Sequence, residues 1–223
     1  MQNLIFNFFN IEIILEVYPI LLQGLWLTIV LSLVIIPLAA LTGLFIAGVQ
    51  TFGNRVVNAI LIISIDILRA IPPLVLLIFI YYGLPFLGLR LGGFQAVVLA
   101  LLLNGASFFG EIFRAGLESV PAGQTEAARS TGLTGVQALL FVVIPQGVRN
   151  VLPDLVTNIL ELTKQTSLAS VVALQELLRS AQIAQGLFYN PTPLVAAALI
   201  YFMMLWPLVR IISGMQRQMP QVR

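Results

Sequence analysis

Two pairs of opposite charge stand out in a chain that has few charges, Asp66 with Arg69 and Glu161 with Lys164. Each pair is spaced i, i+3, which places both side chains on one face of a helix. Thr157 and Asn158 lie one turn before Glu161, so Thr157, Asn158, Glu161 and Lys164 fall near one stripe. A stripe offering an acid, an amide and a base can meet both poles of a free amino acid. Each pair can equally be an ion pair that only steadies a helix bundle, and the residues alone leave both readings open. For Arg69 the functional reading is that it reaches into a pathway where Pro72-Pro73 opens the backbone.

What the chain lacks narrows the chemistry. It has no Cys and no His, so disulfides, thiolate sites, the commonest metal ligand and the commonest general base are missing. Its one lysine, Lys164, follows no glycine loop, so there is no phosphate-cradling P-loop. No catalytic or metal-binding residue is expected, and no cofactor in this chain.

The elements that must hold these residues are membrane helices. Of 223 residues 59% are hydrophobic and only 9% charged, and mean hydropathy is +1.02. A soluble domain usually carries about a quarter charged residues. These proportions exclude a soluble enzyme and a disordered chain, and a net charge of +2 is too mild for a nucleic-acid partner. About 20 mainly apolar residues cross a bilayer as a helix. Spans are expected at 19–49, 56–82 (interrupted by Asp66, Arg69 and Pro72-Pro73), 94–114, 139–168 (broken near Pro145 and Pro153) and 192–212. Residues 1–18 contain Glu12 and Glu16 but no basic residue, so no signal peptide is expected there. They form an outer N-terminal segment, 19–215 a single transmembrane domain, and 216–223 an inner tail. With the N-terminus outside, Arg55, Arg114, Arg129, Arg149, Arg210, Arg217 and Arg223 lie inside, and only Arg90 and Arg179 outside. That distribution obeys the positive-inside bias, so N-out and C-in is expected. Trp26 and Trp206 read as lipid-facing or interfacial. The small residues Ala39, Ala40, Gly43, Ala47 and Gly48 read as a helix-packing face.

The inner loop 115–138 carries a short helix with its own punctuation. Ser119 is a candidate N-cap, Pro121 fits the first turn, and Gly132 suits a left-handed stop. A helix of about three turns with small side chains is marginal alone. It needs a surface to dock on, either the membrane or a partner.

The segment 123–145 contains Glu126-Ala127-Ala128, then Gly132, Val142 and Ile144-Pro145. This pattern resembles the EAA loop of ABC-importer permeases, with Val and Ile in place of the usual Ile and Leu. Residues 104–128, RAIPPLVLLIFIYYG at 69–83, LTKQTSLASVVALQEL at 162–177 and residues 190–210 resemble further stretches of the polar amino-acid permeases (histidine, glutamate, glutamine, arginine and opine) in the same order. The resemblance implies an all-α, five-helix type I importer permease in a bacterial inner membrane. It implies that the loop helix is a coupling helix, with Gly123, Glu126, Ala127, Ala128 and Gly132 meeting a separate nucleotide-binding ATPase dimer. ATP and magnesium would sit on that ATPase. A periplasmic substrate-binding protein and a second permease, identical or paralogous, complete the implied assembly. The resemblance also favours the pathway reading for Asn158, Glu161, Lys164, Thr166, Ser167 and Arg69, with Gln165, Thr166 and Ser167 then a broken helix end that exposes backbone groups only where they line a cavity. The competing class is an ion-coupled secondary transporter or channel subunit using the same charges. Such carriers often show two related halves, and no internal repeat is visible here.

Overall fold

The structure, a computed structural model, describes residues 7–218. Its elements are helices: α1 (Ile11–Phe52), α2 (Arg55–Ala70), α3 (Pro73–Ile78), α4 (Gly93–Glu118), α5 (Ala122–Ser130), α6 (Gly135–Ala138), α7 (Ile144–Asn150), α8 (Leu152–Gln165), α9 (Leu177–Phe188) and α10 (Thr192–Gln218). Helices α1, α4 and α10 are each long and apolar enough to cross a membrane alone. Two bent pairs, Arg55–Ala70 with Pro73–Leu87 and Gly135–Asn150 with Leu152–Val172, bring the spans to the expected five when each pair is taken as one.

Proline stands beside both bends and both widened turns. Ile71 precedes Pro72, and the proline ring drives it out of the helical region to φ −82, ψ 124, ending α2. Pro73 then opens α3, where its missing N–H costs nothing. The two halves meet at 96°. The other break falls at Val151, just before Pro153, with a bend of 69°. Two single widened turns, Phe79–Gly83 and Leu139–Val143, come immediately before Pro85 and Pro145. A proline in a helix would strike the carbonyl four residues back, and one wider turn makes room for it.

Contacts divide the chain into two compact units where the sequence suggests one domain. The first comprises the chain through Ile35, Pro73–Leu101, and everything from Leu160 onward; the second comprises Ile36–Pro72 and Leu102–Ile159. In the first unit, Val17 and Leu21 of α1 pack with Leu177, Ala181 and Ala184 of α9 and Ala197 of α10. Gly24 permits that approach, since a Cβ there would lie 2.4 Å from Ser180 Oγ. The Asn10 amide donates to Thr192 Oγ1 at 3.2 Å, so the starts of α1 and α10 lie together. In the second unit, α4 meets α1 at Gly43, where a Cβ would come within 2.6 Å of the Gly110 nitrogen. It meets α7 through Gly116 and Gly147, where a Cβ on either residue would fall 2.7–2.8 Å from the other's carbonyl oxygen. Small residues where backbones touch are how helices associate in lipid, which offers no hydrophobic drive between them. Trp26 and Trp206 are 67% and 50% exposed, as lipid-facing side chains would be.

Candidate functional site

The loop helix forms as α5, but its ends are built differently from the sequence expectation. Pro121, not Ser119, occupies the N-cap position. The Ser119 hydroxyl is engaged elsewhere: it donates to the Gly116 carbonyl at 2.6 Å and accepts from Asn150 Nδ2 at 2.8 Å. It therefore fastens the end of α4 rather than the start of α5. At the other end Gly132 is left-handed, at φ +91. The Gly132 and Leu133 amides donate back to the Arg129 and Ala128 carbonyls at 3.1 and 3.4 Å, closing the helix with the paired bonds of a Schellman stop.

The faces of α5 divide sharply. Gly123, Glu126 and Ala127 are exposed, at i, i+3 and i+4, and so share one outward face. A Cβ on Gly123 would meet nothing within 4 Å. Ala128 is 8% exposed and turns into its own unit. The exposed face is thus flat and small-sided with one carboxylate, and Ala128 fixes the helix from behind. Immediately after, Thr134 and Gln137 form a reciprocal capping box that starts α6.

On α8 the expected stripe is partly assembled. Lys164 Nζ donates to Glu161 Oε1 at 2.7 Å, with both side chains about half exposed. The Nδ2 of Asn158 is buried and has no partner, a donor ready for an acceptor. Thr157 is exposed and spends its hydroxyl on the Pro153 carbonyl at 2.8 Å. Helix α8 does end at Gln165 and tightens into a 3-10 helix over Thr166–Val172. Ser167 lies at that junction and donates to the Lys164 carbonyl at 2.8 Å. Thr166 does not join the stripe. It is 1% exposed and donates to the Thr163 carbonyl at 2.7 Å, because the tighter turn rotates it inward.

Asp66 and Arg69 line one cavity, but no ion pair joins them. Among the described residues the ion pairs are Arg114 with Glu111, Arg114 with Glu118 at 2.7 Å, and Lys164 with Glu161. Arg69 instead lies over the Phe108 ring, 5.3 Å from its centroid. Stacking on the aromatic face draws the guanidinium toward α4 and leaves Asp66 free. The sequence reading passed over Glu111, Arg114 and Glu118 as a group, although their i, i+3, i+7 spacing marks one helix face. It also passed over Glu176, which is 0% exposed. This carboxylate accepts the Leu178 and Arg179 amides at 2.8 and 2.7 Å, capping α9, and the Tyr201 hydroxyl at 2.9 Å. No local pattern announces such a cap.

Comparison with known proteins gives a consistent picture. The family described as "binding-protein-dependent transport system inner membrane component" matches residues 35–219. A probable glutamine ABC transporter permease protein of Bacillus subtilis (strain 168) is 37% identical over 186 residues, covering 81% of this chain and 84% of that protein. A second probable glutamine ABC transporter permease protein from the same strain is 35% identical and covers 79% and 82%. A crystal structure of an amino acid ABC transporter with histidines superposes with a TM-score of 0.81 at 33% identity, covering 92% of this chain and 97% of that one.

Proposed function

Because the chain belongs to the binding-protein-dependent transport system inner membrane component family, we propose that it is the membrane permease subunit of an ATP-driven amino-acid importer. It is a multi-pass inner-membrane protein and a transport subunit, not an enzyme. It works with an ATPase and a substrate-binding protein, the family's partners. A second permease, identical or paralogous, completes the path, and the substrate is a polar amino acid. ATP and magnesium belong to the ATPase subunit. The observation that carries this reading is α5, a short helix set apart from the spans whose Gly123, Glu126 and Ala127 face outward while Ala128 anchors it. Such a helix fits a groove in the ATPase and moves as a unit between Pro121 and Gly132.

Reconstitution with the ATPase and binding protein, offered a panel of amino acids, tests the proposal. Import of a polar amino acid that requires ATP and the binding protein is expected. Uptake driven by an ion gradient without ATP would overturn it.

Orientation gives a second expectation. With the N-terminus outside, a reporter fused after Arg223 reads cytoplasmic and one inserted between Arg179 and Asn190 reads periplasmic. The neighbouring starts of α1 and α10 agree with the five-span count, since they set both on one side. Both reporters on the same side would break the five-span assignment.

The α8 stripe is the proposed substrate contact, with Glu161 and Asn158 touching the amino acid in transit and Lys164, Ser167 and Arg69 near the path. A half-exposed ion pair contributes at most about 1 kcal/mol, so stability alone is a weak reason for Glu161. Glu161→Gln is expected to raise the substrate concentration needed several-fold, about 1 kcal/mol of lost interaction, with the ATPase still bound. If the pair is only structural, Glu161→Gln lowers expression instead, and adding Lys164→Met restores it because no charge is left unpaired.

A further inference from the structure

Within the second unit a groove of about 780 Å³ opens beside α1 and belongs to none of the sites above. One wall is α1 from Leu41 to its end, continued by Asn54 and Val57. The other is Val136 of α6, Leu139 and Leu140 in the widened turn, and Ile144 of α7. Gly48 also lines it, and a Cβ there would find only Leu139 Cδ2, at 3.9 Å. The side chain missing at that position leaves the space open. Asn54 is the only polar side chain in the lining, and its oxygen is already spent on the Val57 amide, at 2.9 Å. The walls therefore hold an apolar occupant and give a polar one nothing to bond. They are not covered by this chain, since Phe45 and Leu140 are 70% and 51% exposed.

Length and charge identify the occupant. From Leu41 to Phe52 the wall is about 17 Å long at 1.5 Å per residue. That is close to one leaflet's half of a hydrocarbon core about 30 Å thick. Charge appears at one end. Arg55 follows Asn54 directly, is exposed, and is the only charged residue between Glu16 and Asp66. On the opposite wall Arg129 precedes the lining, and no charge follows until Arg149. Arg129 lies near the same end. A Cβ on Gly135 would fall 3.2 Å from its Nη1 and 3.4 Å from Cε1 of Phe52, a lining residue. Neither Arg55 nor Arg129 is in an ion pair, and no acid lines the groove.

We propose that the groove holds one acyl chain of an anionic phospholipid, with the phosphate of that lipid at Arg55 and Arg129. The slot takes the chain, and the guanidinium groups pair with phosphate. Free phosphate would leave the apolar walls bare, and a neutral lipid would leave the two cations without a net anion. With the N-terminus outside, the site opens to the inner leaflet, although binding itself does not depend on orientation. The lipid ties α1 to the segment that follows α5.

The test uses the complete complex with its ATPase, stripped of lipid in detergent and titrated with phosphatidylglycerol or with phosphatidylcholine as the neutral probe. Native mass spectrometry counts the lipids retained. The melting temperature reports stabilisation, because a ligand that binds only the folded protein raises it. Phosphatidylglycerol is expected to be retained, one per copy of this chain, at least about fivefold more tightly than phosphatidylcholine, the attraction of one basic residue or more. Arg55→Gln is expected to weaken that retention about fivefold. Gly48→Leu, which fills the slot, is expected to lose both the lipid and the rise in melting temperature. Equal retention of the two lipids by the parent overturns the proposal, as does undiminished phosphatidylglycerol in either variant. Inorganic phosphate alone is expected to give no rise, and a rise equal to that with phosphatidylglycerol overturns the acyl-chain site. If Gly48→Leu fails to assemble, Arg55→Gln, a change at an exposed side chain, decides. A parent complex that retains neither lipid leaves the groove to a protein partner and overturns the proposal.

Discussion

Ala127→Trp is expected to leave the permease folded and inserted while cutting substrate-stimulated ATP hydrolysis about tenfold or more, at least about 1.4 kcal/mol of lost docking. Ala127 faces outward on α5, so an indole there strikes nothing in its own chain. It projects from a face whose other members are a bare glycine and a single carboxylate, Gly123 and Glu126. A groove shaped for small side chains cannot close over it. Ala128 provides the contrast. At 8% exposed it faces inward, so Ala128→Trp is expected to lower the yield of folded permease and not only its coupling. Co-purification of the ATPase with each variant, together with ATPase rates, separates the two. Full stimulated hydrolysis in Ala127→Trp would remove the docking role of this face.

Gly116→Val is expected to be the most damaging single change to the fold. The Cβ alone would sit 2.7 Å from the Gly147 carbonyl oxygen and 2.9 Å from Val151 Cγ2. The first obstacle is backbone and cannot swing aside, so α4 and α7 must part. Overpacking usually costs about 1–3 kcal/mol, and two extra methyls against a carbonyl put this change at the upper end. That is a large share of a net stability of about 5–15 kcal/mol. Gly147→Ala meets Gly116 from the other side, at 2.8 Å from its oxygen. Both variants are expected to unfold at lower temperature in detergent. The double change is expected to cost less than the sum, since both disrupt one contact. An unchanged melting temperature for Gly116→Val would show that the two helices do not depend on this approach.

The sequence is most legible where a single residue dictates the backbone. Pro72-Pro73 marks the break of the second span, Pro145 and Pro153 mark the irregular fourth, and Gly132 marks the end of α5. Each acts through its own φ or its own missing N–H, so no knowledge of neighbours is needed. The face of α5 is only partly readable: the resemblance groups Gly123, Glu126, Ala127, Ala128 and Gly132, but Ala128 is buried and turns inward. Legibility fails where a group has several possible partners. The spacing of Asp66 and Arg69 suggests an ion pair, but Phe108 on α4 claims the guanidinium. Ser119 has the right type for a cap, but Gly116 and Asn150 take its hydroxyl. Glu176 and Tyr201 meet across 25 residues, and Gly116 and Gly147 across 31. Such pairs are invisible to periodicity because tertiary packing chooses them.

Helix α1 spans 42 residues, about 63 Å at 1.5 Å per residue, whereas the hydrocarbon of a bilayer is about 30 Å thick. From Val17 to its end at Phe52, about 54 Å, it carries no charge that would fix where the lipid must end. The surplus apolar length is therefore an elastic load on the membrane, relieved by leaning the helix or by stretching the lipid around it, at a fraction of a kcal/mol per Å. Helix α10, whose mainly apolar stretch Thr192–Met215 has 24 residues, is close to matched at about 36 Å. One long helix beside one of ordinary length gives the protein a built-in preference for membrane thickness. Longer acyl chains lighten the load on α1, and shorter ones press it toward the membrane plane.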